Sequence, residues 1–188
     1  MTNRYKALIY AALIGLITVS IFLGFLIGFD NKISWLLVAL LIIIPWIYNK
    51  NKQNKIIKWK AEYTVGVKSL DLDHQKLITL LNQFNTAYDY DMGHAFEHQS
   101  LKDLIAYTEY HFTREEQMMA DSNYPDLVEH KQQHQIMIDK IKQIEKKYED
   151  VGHDAFQEVS EFLSGWLINH INGTDKQYTE HLNRNGIS

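Results

Sequence analysis

A long uncharged run near the start of the chain constrains its fold more than any other feature. The run ALIYAALIGLITVSIFLGFLIGF extends over residues 7–29, and as a helix it is long enough to cross the hydrocarbon core of a membrane. A second apolar run, residues 33–48, is shorter and carries Trp35 near one end and Trp46 and Tyr48 near the other, where interfacial anchors lie. The sequence therefore predicts two transmembrane helices joined as a hairpin.

A cleaved signal peptide is the alternative interpretation of the first run. A signal peptide would have a shorter apolar core, a small-x-small cleavage motif and no second apolar run directly after it.

Basic residues indicate the orientation, because the cytoplasmic flanks of membrane helices are rich in lysine and arginine. Arg4 and Lys6 precede the first run, and five lysines follow the second at positions 50, 52, 55, 58 and 60. We therefore expect a multi-pass membrane protein with both ends on the cytoplasmic side.

Charge divides the chain at the end of this basic segment. Residues 1–60 contain eight basic residues and one acidic residue (+7), whereas residues 61–188 contain 11 basic and 22 acidic residues (−11), which together give the net charge of −4. The basic segment suits anionic lipid head groups, and the acidic part disfavours nucleic-acid binding. The absence of cysteine excludes disulfides and thiolate-bound metals. The predicted organisation is a hairpin at 1–49, a basic juxtamembrane linker at 50–60 and a domain at 61–188.

Four helical patterns occupy the acidic domain. Apolar residues recur every three or four positions over about residues 73–88, about 96–120, from Pro125 to about 149, and from 159 to 170. The connections between them are short or moderate, and no segment shows the alternation of a strand. The sequence therefore predicts an all-α fold, an antiparallel up-down four-helix bundle preceded by the two transmembrane helices.

Potential metal ligands lie on the apolar stripe of every one of these helices. They are His74 on the first, His111 and Glu115 on the second, His130 and His134 on the third, and His170 on the fourth. One buried histidine is usually a core residue satisfied by a hydrogen bond. Five histidines and a glutamate buried without partners would be costly, whereas metal ligation satisfies all of them at once.

The number and type of these ligands indicate the metal. Five imidazoles and two carboxylates, Glu115 and Asp175 just after the fourth helix, are too many for one tetrahedral zinc ion, and they suit two octahedral ions bridged by carboxylates. Nitrogen and oxygen ligands without sulfur favour non-haem iron, although manganese, cobalt or zinc would also bind such a set. The sequence predicts a site for two non-haem iron ions.

Four motifs of the domain resemble those of hemerythrins, in particular their bacterial form, and the resemblance covers residues 61–188. The motifs are DLDHQKL (His74), HFTREE (His111 and Glu115), HKQQH (His130 and His134) and HINGTD (His170 and Asp175). The resemblance implies an oxo- or hydroxo-bridged iron pair. It assigns His130, His134 and His170 to one iron, His74 and His111 to the other, and Glu115 and Asp175 to both as bridges.

The resemblance also implies a function, because the iron with two histidines keeps one position open. In the family that position takes O₂ reversibly, so we expect an O₂-binding protein, not an enzyme, that stores oxygen or delivers it to membrane oxidases. Phe112, Trp166 and Leu167 lie next to ligands or one helical turn away and are expected to line a dry O₂ pocket; ordinary core packing is the alternative.

Gly24 and Gly28 form a GxxxG motif, which indicates close helix packing within the hairpin or self-association.

Two features depart from a simple reading of the motifs. Asp73 precedes the first ligand histidine, where the family commonly has glutamine. His170 and Asp175 are five residues apart, about 140° out of line on a regular helix, so that periodicity alone does not bring them together. A π-bulge near Gly173, or a helix that ends there, would correct the geometry.

Two other functions remain open from the sequence. One is a sensing module in which oxygen, redox state or iron occupancy alters contacts with a separate partner. The other is a di-iron oxidase or a scavenger of nitric oxide or peroxide, which the absence of any Glu-x-x-His motif disfavours. The remaining histidines fit no ligand pattern and are expected to be solvated; they are His94, His98, His153 and His181.

Overall fold

The computed structural model describes residues 3–53, 56–90, 92–151 and 155–188, and every regular element within those ranges is helical. The prediction of an all-α chain is therefore confirmed. The elements are α1 (Asn3–Ile27), α2 (Lys32–Gln53), α3 (Lys68–Asp89), α4 (His94–Asp121), α5 (Leu127–Val151), α6 (Ala155–Gly173) and α7 (Thr179–Arg184), with short 3₁₀ turns at Ala61–Tyr63 and Asp175–Gln177. They form two units, Met1–Ile56 and Ile57–Ser188.

Helices α1 and α2 pack against each other and make up the first unit. Within the described residues, α1 alone is long and apolar enough to cross a membrane, over Leu8–Ile27 with a mean hydropathy of 2.4. The apolar part of α2, Lys32–Trp46, is shorter than a full span. The expectation of two spanning helices is thus supported for the first helix only, because polar residues from Asn49 onward shorten the apolar part of the second.

The turn of the hairpin is fixed by one asparagine and one glycine. Asn31 accepts a hydrogen bond from the Ile33 N–H (3.0 Å) and donates one to the Gly24 carbonyl (3.3 Å). A Cβ atom on Gly24 would lie 2.0 Å from the hydroxyl oxygen of the buried Ser34, so the two helices approach closely only because this residue is glycine. Gly28 has open space around its Cα, so only Gly24 of the GxxxG motif packs within the hairpin.

In the described residues of the second unit, α3, α4, α5 and α6 pack together as a helical bundle. They contact one another in the cyclic order α3, α4, α5, α6 and back to α3. Apolar residues at helical spacing fill the centre, and their burial stabilises the bundle by roughly 1.5–3 kcal/mol for each large side chain. On α3 these include Leu70, Leu77, Leu81 and Phe84, each at most 1% exposed. The predicted ligands lie on these same inward faces.

Helix α3 begins at Lys68, five residues earlier than the periodicity predicted. Asp71 lies before the predicted start of the helix, and its carboxylate accepts hydrogen bonds from the Val65 N–H (2.7 Å) and from the Thr64 hydroxyl. These bonds tie the first turn of α3 to the preceding segment, and a carboxylate near a helix N-terminus is also favoured by the helix dipole. The helix therefore starts before its apolar stripe is obvious.

An extended arm, residues 57–67, precedes α3 and packs on the bundle. The Asn82 side chain accepts the Ile57 N–H (2.9 Å) and donates to the Ile57 carbonyl (2.7 Å), while Val65 and Val67 are fully buried. Residues 57–60, which the sequence assigned to the linker, therefore belong to the second unit. Of the remaining linker, 50–53 continue α2, and 54 and 55 lie outside the described residues.

Candidate metal centre

Seven predicted ligands, contributed by all four helices of the bundle and the segment after α6, meet in one buried cluster. Each is at most 5% exposed. They are His74 on α3, His111 and Glu115 on α4, His130 and His134 on α5, His170 on α6 and Asp175 in the 3₁₀ turn. Because the two residues of α4 and the two of α5 are each four apart, each pair lies on one face of its helix.

Glu115 lies at the centre of the cluster. Its Oε2 atom is 3.3 Å from Nε2 of His134, 3.4 Å from Nε2 of His130 and 3.8 Å from Nε2 of His111. One carboxylate thus faces histidines from both its own helix and α5. Such a position suits a carboxylate that is shared between two cations.

Asp175 joins the cluster because α6 ends at Gly173. The sequence predicted either a helix end at Gly173 or a π-bulge near it, and the structure has the helix end. The N–H of Thr174 still bonds to the His170 carbonyl (2.8 Å), and the chain then tightens into the 3₁₀ turn. Asp175 Oδ1 lies 3.0 Å from Nε2 of His170, and its Oδ2 lies 3.4 Å from Nε2 of His74. On a regular helix His170 and Asp175 would lie about 140° apart, and the tighter pitch of the 3₁₀ turn brings them together.

The donor atoms form two overlapping groups, within each of which they lie no more than 4.8 Å apart. One group contains Glu115, His130, His134, His170 and Asp175, and the other contains His74, His111 and Glu115. Glu115 belongs to both groups. The Oδ2 atom of Asp175 also approaches His74, so that both carboxylates lie between the three-histidine group and the two-histidine group.

Many of these potential ligand atoms have no hydrogen-bond partner within the protein. Both carboxylate oxygens of Glu115 and of Asp175 are unpartnered, as are both ring nitrogens of His74 and Nε2 of His130. Unsatisfied buried polar atoms cost about 1–3 kcal/mol each, and more when charged. Nε2 of His134 faces Nε2 of His170 at 3.0 Å, although neutral histidines that ligate through Nε2 are both acceptors there. The residues present therefore fit divalent cations, and their nitrogen and oxygen atoms suit non-haem iron.

Electrostatics keep the two carboxylates ionised. Burial raises the pKa of Glu115, but His111, His130 and His134 outweigh burial and hold that pKa well below its usual range. For Asp175, burial and the neighbouring Glu115 raise the pKa, while His170 and His74 lower it and prevail. Two anionic carboxylates among imidazoles form an attractive site for positive charge.

Two further carboxylates lie behind the candidate ligands, and Glu116 was not identified from the sequence. Glu116 Oε1 lies 3.0 Å from Nδ1 of His134, and its Oε2 is 3.0 Å from Nζ of Lys131. Asp73 lies beside Nδ1 of His111 at 3.7 Å. The sequence could have indicated Glu116, because it directly follows Glu115 and therefore lies beside the inward face of α4.

Tyr178 is a second residue that sequence reasoning missed. It is fully buried three residues after Asp175, its ring lies 5.8 Å from that of His130, and its hydroxyl has no hydrogen-bond partner. Burial raises the pKa of this phenol well above its usual value, and the carboxylates of Glu115 and Asp175 raise it further. The phenol therefore stays protonated beside the two carboxylates.

Two of the three residues predicted to line an O₂ pocket, Phe112 and Trp166, lie beside the cluster. Phe112 stacks on His134 with ring centroids 3.6 Å apart, and Trp166 stacks on His170 at 4.2 Å. Leu167 is part of the apolar core. The two aromatic rings thus cover histidines of the three-histidine group and limit the access of water on that side; the pocket itself stays a prediction.

The remaining histidines have different surroundings from one another. His94 is exposed, and Nε2 of the half-buried His98 lies 3.7 Å from Oε1 of Glu145. His181 is also half-buried, and its Nε2 lies 2.8 Å from the Ser122 carbonyl, so it is not simply solvated as predicted. His153 lies outside the described residues.

Solved and curated proteins resemble about two thirds of this chain. The chain is 29% identical to a bacteriohemerythrin of Stenotrophomonas maltophilia over 133 residues, which are 69% of this chain and 86% of that protein. It is 33% identical to a hemerythrin-like protein of Naegleria gruberi over 120 residues, covering 64% of this chain and 88% of the relative. The crystal structure of a wild-type hemerythrin superposes with a TM-score of 0.59 at 26% identity and covers 68% of this chain and 98% of that one.

The family match spans the whole cluster. The hemerythrin HHE cation binding domain matches residues 65–182, from the buried arm to the helix that follows the 3₁₀ turn. All seven converging donors lie inside that range. With its helical bundle and its buried histidine and carboxylate cluster, this chain belongs to the hemerythrin family.

Proposed function

We propose that residues 61–188 form an antiparallel up-down four-helix bundle that holds two non-haem iron ions and binds O₂ reversibly, for oxygen storage or delivery to membrane enzymes. The observation that carries this proposal is the burial of seven potential ligands, many of them without partners, in two groups that share Glu115. His130, His134 and His170 would hold one iron, and His74 and His111 would hold the other. Glu115 and Asp175, which approach histidines of both groups, would contribute to both.

The unequal histidine count supports O₂ binding at one iron. Three histidines and two bridging carboxylates leave less room for a further ligand than two histidines and the same carboxylates do. Iron held by these residues would supply the electrons for reversible O₂ binding. The chain's own contribution is to fix the ligands on rigid helices, to keep Tyr178 protonated near the carboxylates and to exclude water with buried side chains.

We further propose that the protein is anchored in the inner membrane of a bacterium through residues 1–49, with the bundle on the cytoplasmic side. The apolar α1 and the basic residues that flank the hairpin support this arrangement. In this arrangement α2 is a second, shorter span. Protease added to sealed inside-out vesicles should digest the bundle, and protection of the bundle would contradict the orientation.

A sensing function is the second candidate, because the arm connects the segment around Asp175 with the chain that leads to the hairpin. The Thr179 hydroxyl donates to the Val65 carbonyl (2.6 Å), and Nζ of Lys176 donates to the Glu62 carbonyl. Both donors lie within four residues of Asp175. A change at the cluster could therefore alter the arm and, through it, a membrane partner.

The experiment that tests the function uses the full chain in detergent micelles. Iron per chain is counted, and the visible spectrum is followed while the reduced protein meets air and is then degassed. Two irons and a charge-transfer band that appears with air and fades on degassing are expected. The variant His74→Ala should lose the band, whereas His98→Ala, a histidine outside the cluster, should keep it.

Three outcomes would contradict this proposal in different ways. A chain that binds no iron would refute the metal centre. Two irons that oxidise immediately without a reversible band would refute O₂ carriage and favour sensing. Rapid turnover of peroxide or nitric oxide would instead favour catalysis.

A further inference from the structure

Asp73 precedes His74 on α3, and its carboxylate is bound by side chains of α4. The residue is 4% exposed. The Tyr107 hydroxyl donates to its Oδ1 atom (2.9 Å), and the Arg114 guanidinium donates to its Oδ2 atom (3.0 Å). Tyr107 and Arg114 are seven residues apart, two turns along the same face of α4. Two side chains of one helix thus hold a buried carboxylate of the neighbouring helix in place.

The Oδ2 atom of Asp73 lies behind the candidate ligand His111. It is 3.7 Å from Nδ1 of His111, which has no hydrogen-bond partner, whereas Nε2 on the other side of the ring faces Glu115. A histidine that ligates a metal through Nε2 carries its proton on Nδ1. That N–H would point at the Asp73 carboxylate, and a small approach of the two side chains would complete the hydrogen bond.

The corresponding contact in the three-histidine group is built differently. There Glu116 lies 3.0 Å from Nδ1 of His134, and its cation is Lys131. The side chains of Glu116 and Lys131 are 19% and 54% exposed, whereas those of Asp73 and Arg114 are 6% and 35% exposed. The charges behind the two-histidine group are therefore less screened by solvent.

We propose that Asp73 is a positioning residue of the metal centre. Anchored by Tyr107 and Arg114, it orients His111 and stabilises the oxidised state of the metal that His111 shares with His74. The inference rests on the proposed di-iron function. A carboxylate that accepts the outer N–H of a ligand histidine makes the ring a stronger donor, and stronger donation favours the more highly charged metal. A purely structural Asp73 would affect folding stability without a selective effect on one metal.

The test compares variants of the full chain in detergent, loaded with iron under anaerobic conditions. Asp73→Asn removes the charge and keeps the size, Asp73→Glu restores the charge, and Tyr107→Phe removes one anchor. Asp103→Asn is the control, since Asp103 is an exposed carboxylate on α4 that bonds to Gln99. Iron content, the rate of iron release to a chelator and the midpoint potentials are measured.

Asp73→Asn should retain two irons and bind one of them about 10- to 100-fold more weakly, the range typical for outer partners of ligands, so that this iron is released faster to a chelator. The same iron should be easier to reduce. A tenfold change in the ratio of oxidised to reduced metal corresponds to about 59 mV for one electron. Asp73→Glu should restore most of the difference, Tyr107→Phe should shift the potential in the same direction by less, and Asp103→Asn should behave as the unaltered chain.

Failure of this inference is distinguishable from failure of the proposed function. Two irons in Asp73→Asn with unchanged potentials and release rates would overturn the role of Asp73 alone, as would an equal shift of both irons. An unaltered chain without iron would refute the metal centre itself. If Asp73→Asn does not fold, Tyr107→Phe decides, because it keeps the carboxylate; an unchanged potential in that variant would overturn the inference.

Discussion

The hairpin and the bundle use similar apolar residues in opposite ways. In α1, Leu8, Leu16 and Leu26 are each at least 65% exposed, whereas in the bundle Leu70 and Leu101 are fully buried. Polar groups show the reverse pattern, since the bundle buries seven potential ligands and, among the described residues of α1 and α2, Ser34 is the one buried polar residue. The exposed leucines of α1 need apolar surroundings, and the buried potential ligands of the bundle need cations. Each unit therefore has a requirement that a component outside the chain must meet.

Removal of the shared carboxylate should have the largest effect on the bundle. Glu115→Ala takes one ligand from both donor groups and leaves a cavity, so we expect iron content to fall from two per chain to one or none. Elemental analysis of the purified full chain measures the loss. Glu109→Ala, an exposed glutamate on the same helix, is the matched control and should retain two irons. Full iron content in Glu115→Ala would mean that Glu115 is not a ligand.

Removal of metal should destabilise the bundle and leave the hairpin unaffected. A ligand present at 1,000 times its Kd stabilises the folded state by about 4 kcal/mol, so we expect a chelator to lower the thermal midpoint of the bundle by several degrees or more. Circular dichroism during heating, with and without chelator, detects the shift. An unchanged midpoint would show that the buried donors are stable without cations and would remove the contrast between the units.

A large side chain at Gly24 should disturb the hairpin without altering the metal centre. Gly24→Leu places atoms where the Ser34 hydroxyl lies, and overpacking of this kind costs about 1–3 kcal/mol. The natural chain has no cysteine, so a cysteine pair introduced across α1 and α2 reports their approach by its crosslinking yield. The yield should fall in Gly24→Leu and stay unchanged in Gly28→Leu. A loss of iron in Gly24→Leu would show that the two units depend on each other.

The smallest expected effect concerns the boundary between the two units. A chain that lacks residues 1–56 retains the two hydrogen bonds between Asn82 and Ile57, whereas a chain that lacks residues 1–60 loses them. Because a net hydrogen bond contributes about 0.5–1.5 kcal/mol, the shorter chain should be less stable by about 1–3 kcal/mol. Urea unfolding of both truncated chains measures this difference. Equal stabilities would place the start of the bundle at residue 61, as the sequence predicted.

The difference between the two units also explains how far sequence reasoning succeeded. Helical periodicity predicted α4 as residues 96–120, close to the observed His94–Asp121, because its apolar residues recur along one face. The start of α3 was misplaced because hydrogen bonds from the arm to Asp71 extend the helix beyond its apolar stripe. Tyr178 and Glu116 were missed because their positions relative to the cluster depend on how neighbouring elements pack.

The sequence by itself determined which chemistry is available: an apolar α1, helices with histidines and a glutamate on their inward faces, and no sulfur ligand. These properties follow from local periodicity and side-chain type, which do not depend on distant contacts. The tertiary structure alone decided that an early end of α6 at Gly173, and not a π-bulge, brings Asp175 to His74, that Asp73 is held between Tyr107 and Arg114, and that Gly24 rather than Gly28 packs in the hairpin. Each of these depends on the pitch or approach of whole helices, and that is set by packing between residues far apart in the chain.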